Sequence, residues 1–310
     1  MSEIKKIGGD YRRPNVVAIG GGHGLSRTLL AAKSYAGSIS AIVTVADDGG
    51  SSRVFRDELA VPALGDIRRC LIALADNDSL LAKVMSYRFL EGSFQGHPVG
   101  NFILAALCEM NSDLEAASSA LGEELSAAGR VFPACNSVAT LTATTDSGEL
   151  ISGQVAVMQR SGISEVKLVG QDINAPEKAL LAIKEADQII IGPGSLYTSL
   201  LAALSAEGIR EAIETSEGRK IYIANLQQQK YETFGYNIAD HIRALNKHGI
   251  KCDVTLLPVK SVLESGDIPD DTETIKVPLT TESGNIHDHN LLGEALAGLW
   301  LRHLESDKEV

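Results

Sequence analysis

The sequence predicts an α/β fold: a Rossmann-like, doubly wound, mostly parallel sheet with an antiparallel hairpin and a helical insertion. Three observations predict it. Short apolar runs such as NVVAIG at 15–20 and DQIII at 187–191 lack polar alternation, as strands buried on both faces do. Segments of helical period separate them. The glycine-rich and acidic turns follow the strands, where ligands of open α/β sheets lie.

In chain order, residues 1–14 read as a flexible leader ending at Pro14, and residues 15–305 as one nucleotide-binding domain. The first strand runs into GGGHG, and a helix is expected over Leu25–Lys33. SISAIVTVADDGG at 38–50 is a second strand and turn. DIRRCLIALA places Ile67, Cys70, Leu71 and Leu74 on one helical face. Residues 79–129 are alanine- and leucine-rich, helical with one break at GSFQGHPVGN. VATLTATTDSGELISGQVAVM at 138–158 alternates and turns at Asp146-Ser147-Gly148, the pattern of a hairpin. KIYIANL is a strand, a helix covers about 238–248, CDVTLLPV is the last strand, and HNLLGEALAGLWLRHL is a closing helix.

Composition narrows the function. The net charge of −12 argues against a broad nucleic-acid or anionic-membrane surface. Aromatic residues at 5% argue against base-stacking platforms for single strands. Cys70, Cys108, Cys135 and Cys252 are too scattered for a zinc site or a disulfide framework. No apolar run approaches the length that spans a bilayer, and no secretory signal is read at the start, so the expectation is a cytoplasmic protein.

Six turns carry the candidate chemistry. Gly20 to Gly24 allow a tight turn and close approach of a phosphate to backbone N–H groups at a helix start. The third glycine of a dinucleotide fingerprint is replaced by Leu25, which speaks against a nicotinamide dehydrogenase. Asp47 falls about 20 residues past that turn, where an acidic residue takes a ribose hydroxyl. Asp48 could do the same or hold magnesium through water, while Gly49, Gly50, Ser51 and Ser52 offer phosphate donors. The plain alternative is a turn with Asp47 as a helix cap. Asp66 reads as a helix N-cap, and Arg68 opposes the dipole of that helix, which suits it to face an anion or solvent. His97 projects ahead of Pro98, and Asn101 reads as a cap. Gly192-Pro193-Gly194 with Ser195 as cap forms a second anion site, and Asn225 with Gln227 to Gln229 offers amides to a nucleobase edge.

These strings, in this order, resemble the CofD-like family and, within it, the YvcK or gluconeogenesis factor branch. The matching residues are GGGHGLSRTL at 20–29, TVADDGGSS at 44–52, GDIRRCLIALA at 65–75, GHPVGNFILAAL at 96–107, IGPGSLYTSLL at 191–201 and IANLQQQKYET at 223–233. The resemblance implies a Rossmann-like fold. It also implies either of two activities: binding of UDP-sugars such as UDP-N-acetylglucosamine or UDP-glucose, with effects on cell-wall precursors and cell shape, or a magnesium-dependent transfer of a phospholactyl-type group from a guanosine-diphosphate-linked donor to a deazaflavin. The expected nucleotide contacts are Gly21, Gly22, His23, Gly24, Leu25, Asp47, Asp48, Gly49, Gly50, Ser51, Ser52, Asp66, Arg68, His97, Asn101, Gly192, Pro193, Gly194, Ser195 and Asn225. No cofactor is required for binding; magnesium on Asp47 and Asp48 goes with the transferase. The expected partners are the nucleotide and a second copy of the chain. Five positions depart from the branch pattern: His23, Arg53, Arg69, Gln227, and Ile286 before His287-Asp288.

Overall fold

The computed structural model describes residues 3–7, 11–111, 113–281 and 284–306. Seven strands form one sheet, all parallel: β1 (Asn15–Gly20), β2 (Ser38–Val43), β3 (Arg130–Pro133), β7 (Gln188–Ile191), β8 (Arg219–Ile223), β9 (Val254–Pro258) and β10 (Glu273–Val277). Their order is β10-β9-β8-β7-β1-β2-β3. The chain winds outward from β1 through β2 to β3, then returns to β7 on the other side of β1 and winds the opposite way. The switch point therefore lies between β1 and β7, and every carboxyl end faces one rim. β7 and β9 are buried along their whole length, as helices on both faces require.

The antiparallel element is a separate three-stranded sheet, β5-β4-β6, made of β4 (Thr140–Thr145), β5 (Leu150–Ser152) and β6 (Ile163–Val169). The expected hairpin is thus corrected in its second arm. That arm stops at Ser152, and Gln154–Met158 is helical because Asp48 accepts from the Val155 N–H at the start of the turn. CDVTLLPV is not the last strand either: β10 follows as a parallel edge strand, half-exposed and so without a buried strand's apolar run. The helix after β1 is Gly22–Lys33, three residues longer at its start than its apolar period suggests. Among the described residues, no helix is long and apolar enough to cross a membrane.

The described part of residues 1–14 is docked, where the sequence suggests a flexible leader. Glu3–Lys6 is a short helix against the closing helix His289–Ser306, Ile7 is buried, and the Trp300 indole donates to the Arg12 carbonyl at 2.7 Å. Arg12 also makes a two-pronged bond to Asp187 and lies over the Trp300 ring. The partners are 175 and 288 residues away, so no local pattern marks the contact.

The switch point is closed by bare backbone. A Cβ placed on Gly24 would stand 2.0 Å from the Pro193 carbonyl oxygen. Gly24→Ala is expected to force the two turns apart and cost about 1–3 kcal/mol or more, the range for overpacking. Denaturant unfolding checks this; wild-type stability would show that the turns separate freely.

Candidate functional site

All six turns meet at the rim. A Cβ on Gly194 would lie 3.8 Å from the Gly21 carbonyl oxygen, and one on Gly21 would lie 2.7 Å from both Asp66 Oδ2 and Thr44 Cγ2. Ser52 lies beside Gly65, Gly100 is pressed on Arg68, and Asn225 grips Gly194. Gly22, Asp47 and Ser195 thus share one edge of the sheet.

The centre is the start of the helix Gly22–Lys33. Gly21 sits at its N-cap position and supplies no side-chain cap. Gly22 has φ +64° with open space where a side chain would point. A twelve-residue helix with an uncapped start carries partial positive charge and free N–H groups. Asp66 accepts from the Gly22 N–H and is ion-paired with Arg69. It is therefore not an N-cap: the helix Gly65–Leu74 begins one residue before it, with Leu64 at the cap position. Burial raises the Asp66 pKa, against which Arg69 and the Gly22 N–H pull.

Arg68 is 4% exposed, and its Nη1 donates to Asn101 Oδ1 at 2.8 Å. Its Nε is buried with no acceptor among the described residues. Burial, then the charges of Arg69 and Arg88, bring its pKa down to about 10. Asn101 lies inside the helix Val99–Asn111 and serves Arg68 instead of capping the helix. His23 stands exposed at the helix start; partial desolvation and then Arg69 hold its imidazole below the usual range, with Arg27 and Arg68 adding to the effect and Asp66 opposing it. His97 packs its ring 6.2 Å from Phe102. Arg68 and Arg69 thus stand at a rim that also carries Asp47, Asp48 and Asp66, with Arg69 paired to Asp66.

The acidic turn does local work. Asp47 Oδ1 accepts from the Gly49 N–H at 3.0 Å and Oδ2 from the Ser52 hydroxyl at 2.8 Å, so both oxygens close their own turn. Asp48 holds Val155 at 2.9 Å and ties the small sheet to the rim. Gly50, at φ +46°, opens to free space, and Ser51 lies in the first turn of the helix Gly50–Leu59, its side chain outside the described part.

The Gly192–Ser195 turn is held by amides. Asn225 accepts from the Gly194 N–H and donates to the Gly194 carbonyl, at 3.1 and 2.9 Å. Gln229 accepts from the Leu196 N–H and donates to Ser195 Oγ at 2.6 Å. Asn225 and Gln229 are thus committed to the turn, and Ser195 occupies the cap position without capping. Leu25 is fully buried beneath the first turn, so only its backbone can face a ligand. The chain then enters a π-helical turn, Leu196–Leu201. Gln227 bonds Asn285, and the buried His287 Nε2 lies 3.2 Å from the Ala224 carbonyl oxygen; both stand just beyond the end of β8. Arg53 pairs with Asp57 on an exposed helix face, and Arg302 is exposed on the closing helix.

Sequence reasoning misses Glu232. It is 1% exposed, accepts from the Thr198 hydroxyl at 2.9 Å, and leaves Oε1 without a donor. A lone glutamate 34 residues from its partner carries no local signal. It also misses the ring cluster. Phe55, Phe89 and Phe94 surround Phe102 at 5.0–6.1 Å, one residue from Asn101. Six phenylalanines in the chain looked too few for a platform, but the fold gathers four of them. Cavity volume does not single out this rim: clefts of about 460 and 820 Å³ lie elsewhere. What marks the rim is the meeting of the six turns and the open backbone at Gly22 and Gly50.

Residues 16–287 match the family described as 2-phospho-L-lactate transferase CofD. The gluconeogenesis factor of Bacillus subtilis is 40% identical over 263 residues, covering 84% of this chain and 81% of that one. The chain belongs to the CofD family, in its gluconeogenesis factor branch. A Nostoc sp. relative is 46% identical over 238 residues, 76% of this chain, and the matched part is 52% of its own length. The chain thus spans about half of that relative and about three quarters of a Thermotoga maritima one that is 44% identical. The crystal structure of a UPF0052 family protein from Bacillus halodurans superposes with a TM-score of 0.86 at 35% identity, covering 92% of this chain and 99% of that one.

Burial, opposed by the Thr198 hydroxyl and the helix-start N–H groups, raises Glu232 to about 7. A folded pKa above the unfolded one favours the fold below the unfolded value of 4.5, an advantage lost as pH rises through about 7. Thermal unfolding of Glu232→Gln from pH 5 to 8 is expected to lack this downward slope relative to wild type; parallel curves would remove the assignment.

Proposed function

We propose that this CofD-family protein binds a nucleoside-diphosphate sugar of the UDP-N-acetylglucosamine or UDP-glucose type. Binding would adjust cell-wall precursor metabolism and cell shape in the cytoplasm. The observation that carries the reading is the helix start at Gly22, where open space stands in place of a side chain, Gly21 supplies no cap, Asp66 takes only the Gly22 N–H, and Arg68 and His23 stand beside it. Backbone donors, a helix dipole and buried guanidinium suit a diphosphate. The gluconeogenesis factor relatives support the branch-level choice. In this reading Asp47 and Asp48 shape the second turn, and the ribose is met by its backbone.

A second reading, the magnesium-dependent transferase, is favoured by one feature that composition hides. The Phe89, Phe94 and Phe102 rings cluster one residue along the chain from Asn101, the partner of Arg68, and could stack a planar acceptor. Asp47 and Asp48 are adjacent carboxylates at the rim and could hold magnesium together with phosphate oxygens and water, which suits that ion. Incubation with a guanosine-diphosphate-linked donor, magnesium and a deazaflavin separates the readings; coupled product would establish the transferase.

Calorimetry tests the first reading. UDP-N-acetylglucosamine or UDP-glucose is expected to bind, and absence of heat for both up to millimolar concentration removes it. Gly22→Ala, which puts a methyl group into the open space at positive φ, is expected to weaken binding about tenfold, the worth of about 1.4 kcal/mol. An unchanged dissociation constant would move the phosphates away from this turn.

A further inference from the structure

We propose that the cleft beside the small sheet is a second ligand site, for a small zwitterion of the free α-amino-acid class, and that its occupancy acts on the rim. The cleft is about 460 Å³, within the range of small-molecule sites, and shares no lining residue with the rim. Its walls are β6, residues 234–236, the turn at Asp146 and one face of the helix Ile238–Lys247.

Its charges sort into spent and free. Asp240 closes a capping box with Asn237 and pairs with Arg243 at 2.8 Å, and Arg243 also donates to the Asp267 carbonyl. Asp146 and Lys247 meet no side-chain partner among the described residues, nor each other. The cleft therefore offers one free carboxylate, one free ammonium and the rings of Tyr197, Phe234 and Tyr236, with Phe234 71% exposed. A phosphate ester would need net positive charge, and this lining has none. A purely apolar ligand would cover both charges without pairing them, which is costly. A zwitterion satisfies both, with its side chain against Phe234 and Tyr236.

The link to the rim is a short piece of chain. Tyr197 donates to the Ile163 carbonyl at 2.8 Å, so in its 2.9 Å contact with Tyr236 it is the acceptor. Its two neighbours are held by the same segment that supplies Tyr236: Gln229 takes the Leu196 N–H, and Glu232 takes the Thr198 hydroxyl. Gln229 also holds Ser195 at the rim. These residues enter the π-helical turn Leu196–Leu201, a geometry that recurs at functional sites. A ligand that orders Phe234 and Tyr236 stiffens the grip of Gln229 and Glu232 on the Gly192–Ser195 turn. The proposal rests on the rim reading only for its consequence, since the cleft binds or fails to bind independently.

Saturation-transfer NMR on the full chain, with L-leucine and L-phenylalanine as probes up to about 10 mM, tests the site. Saturable transfer is expected, weakened about two- to fivefold by Lys247→Met and by Asp146→Asn, the worth of one exposed ion pair each. No transfer, transfer unaffected by both substitutions, or transfer to glucose in place of either amino acid overturns it. Hydrogen exchange tests the link: the amides of Leu196, Tyr197 and Thr198 are expected to exchange at least about threefold more slowly with probe bound. Binding without such slowing overturns the coupling whether or not a nucleotide binds at the rim.

Discussion

The structure turns on a contact that leaves no room for a side chain, that of Gly24 against the carbonyl of Pro193. β1 and β7 are neighbours in the sheet but far apart in the chain, and the winding reverses between them. The crevice of such a sheet opens only if the turns that leave the two strands can pass close to one another. Glycine at 24, with glycines at 21 and 194 nearby, permits that. The same approach brings the start of the helix Gly22–Lys33 beside the Gly192–Ser195 turn, and the rest of the rim is assembled around it.

Around this contact the polar groups divide the work. Carboxylates mostly hold the protein together: Asp47 closes its own turn, Asp48 ties in the small sheet, and Asp66 bridges Gly22 to Arg69. The amides of Asn225 and Gln229 fasten the fifth turn. What is left beside them is bare backbone at Gly22, the exposed His23 and the buried Arg68 with its unpartnered Nε. In the proposed reading an acidic protein presents a local site for an anion because desolvated guanidinium and a helix start act at short range while the net charge is screened.

Membership in the CofD family and the close superposition on a solved relative agree with this architecture. The departures from the branch pattern have structural accounts where they touch the rim. Arg69 neutralises Asp66 beneath the first turn, and Gln227 reaches Asn285 in the segment that ends at His287. His23 adds an imidazole, biased to the neutral form, above the helix start.

By itself, the sequence determined the fold class, the parallel strands with long apolar runs, and the turns that converge. Period, apolar continuity and glycine placement are local properties, and they are sufficient for that. β3, β6 and β10 escaped because they are short, alternating or half-exposed, so their identity comes from the strand beside them. Only the tertiary structure decided which groups are free to meet a ligand. Asp66 looks like a cap and Asn225 like a base reader until their partners, 44 and 31 residues away, are in place. A hydrogen-bonding group has few bonds to make, and long-range folding settles whether they go to the protein or to something else.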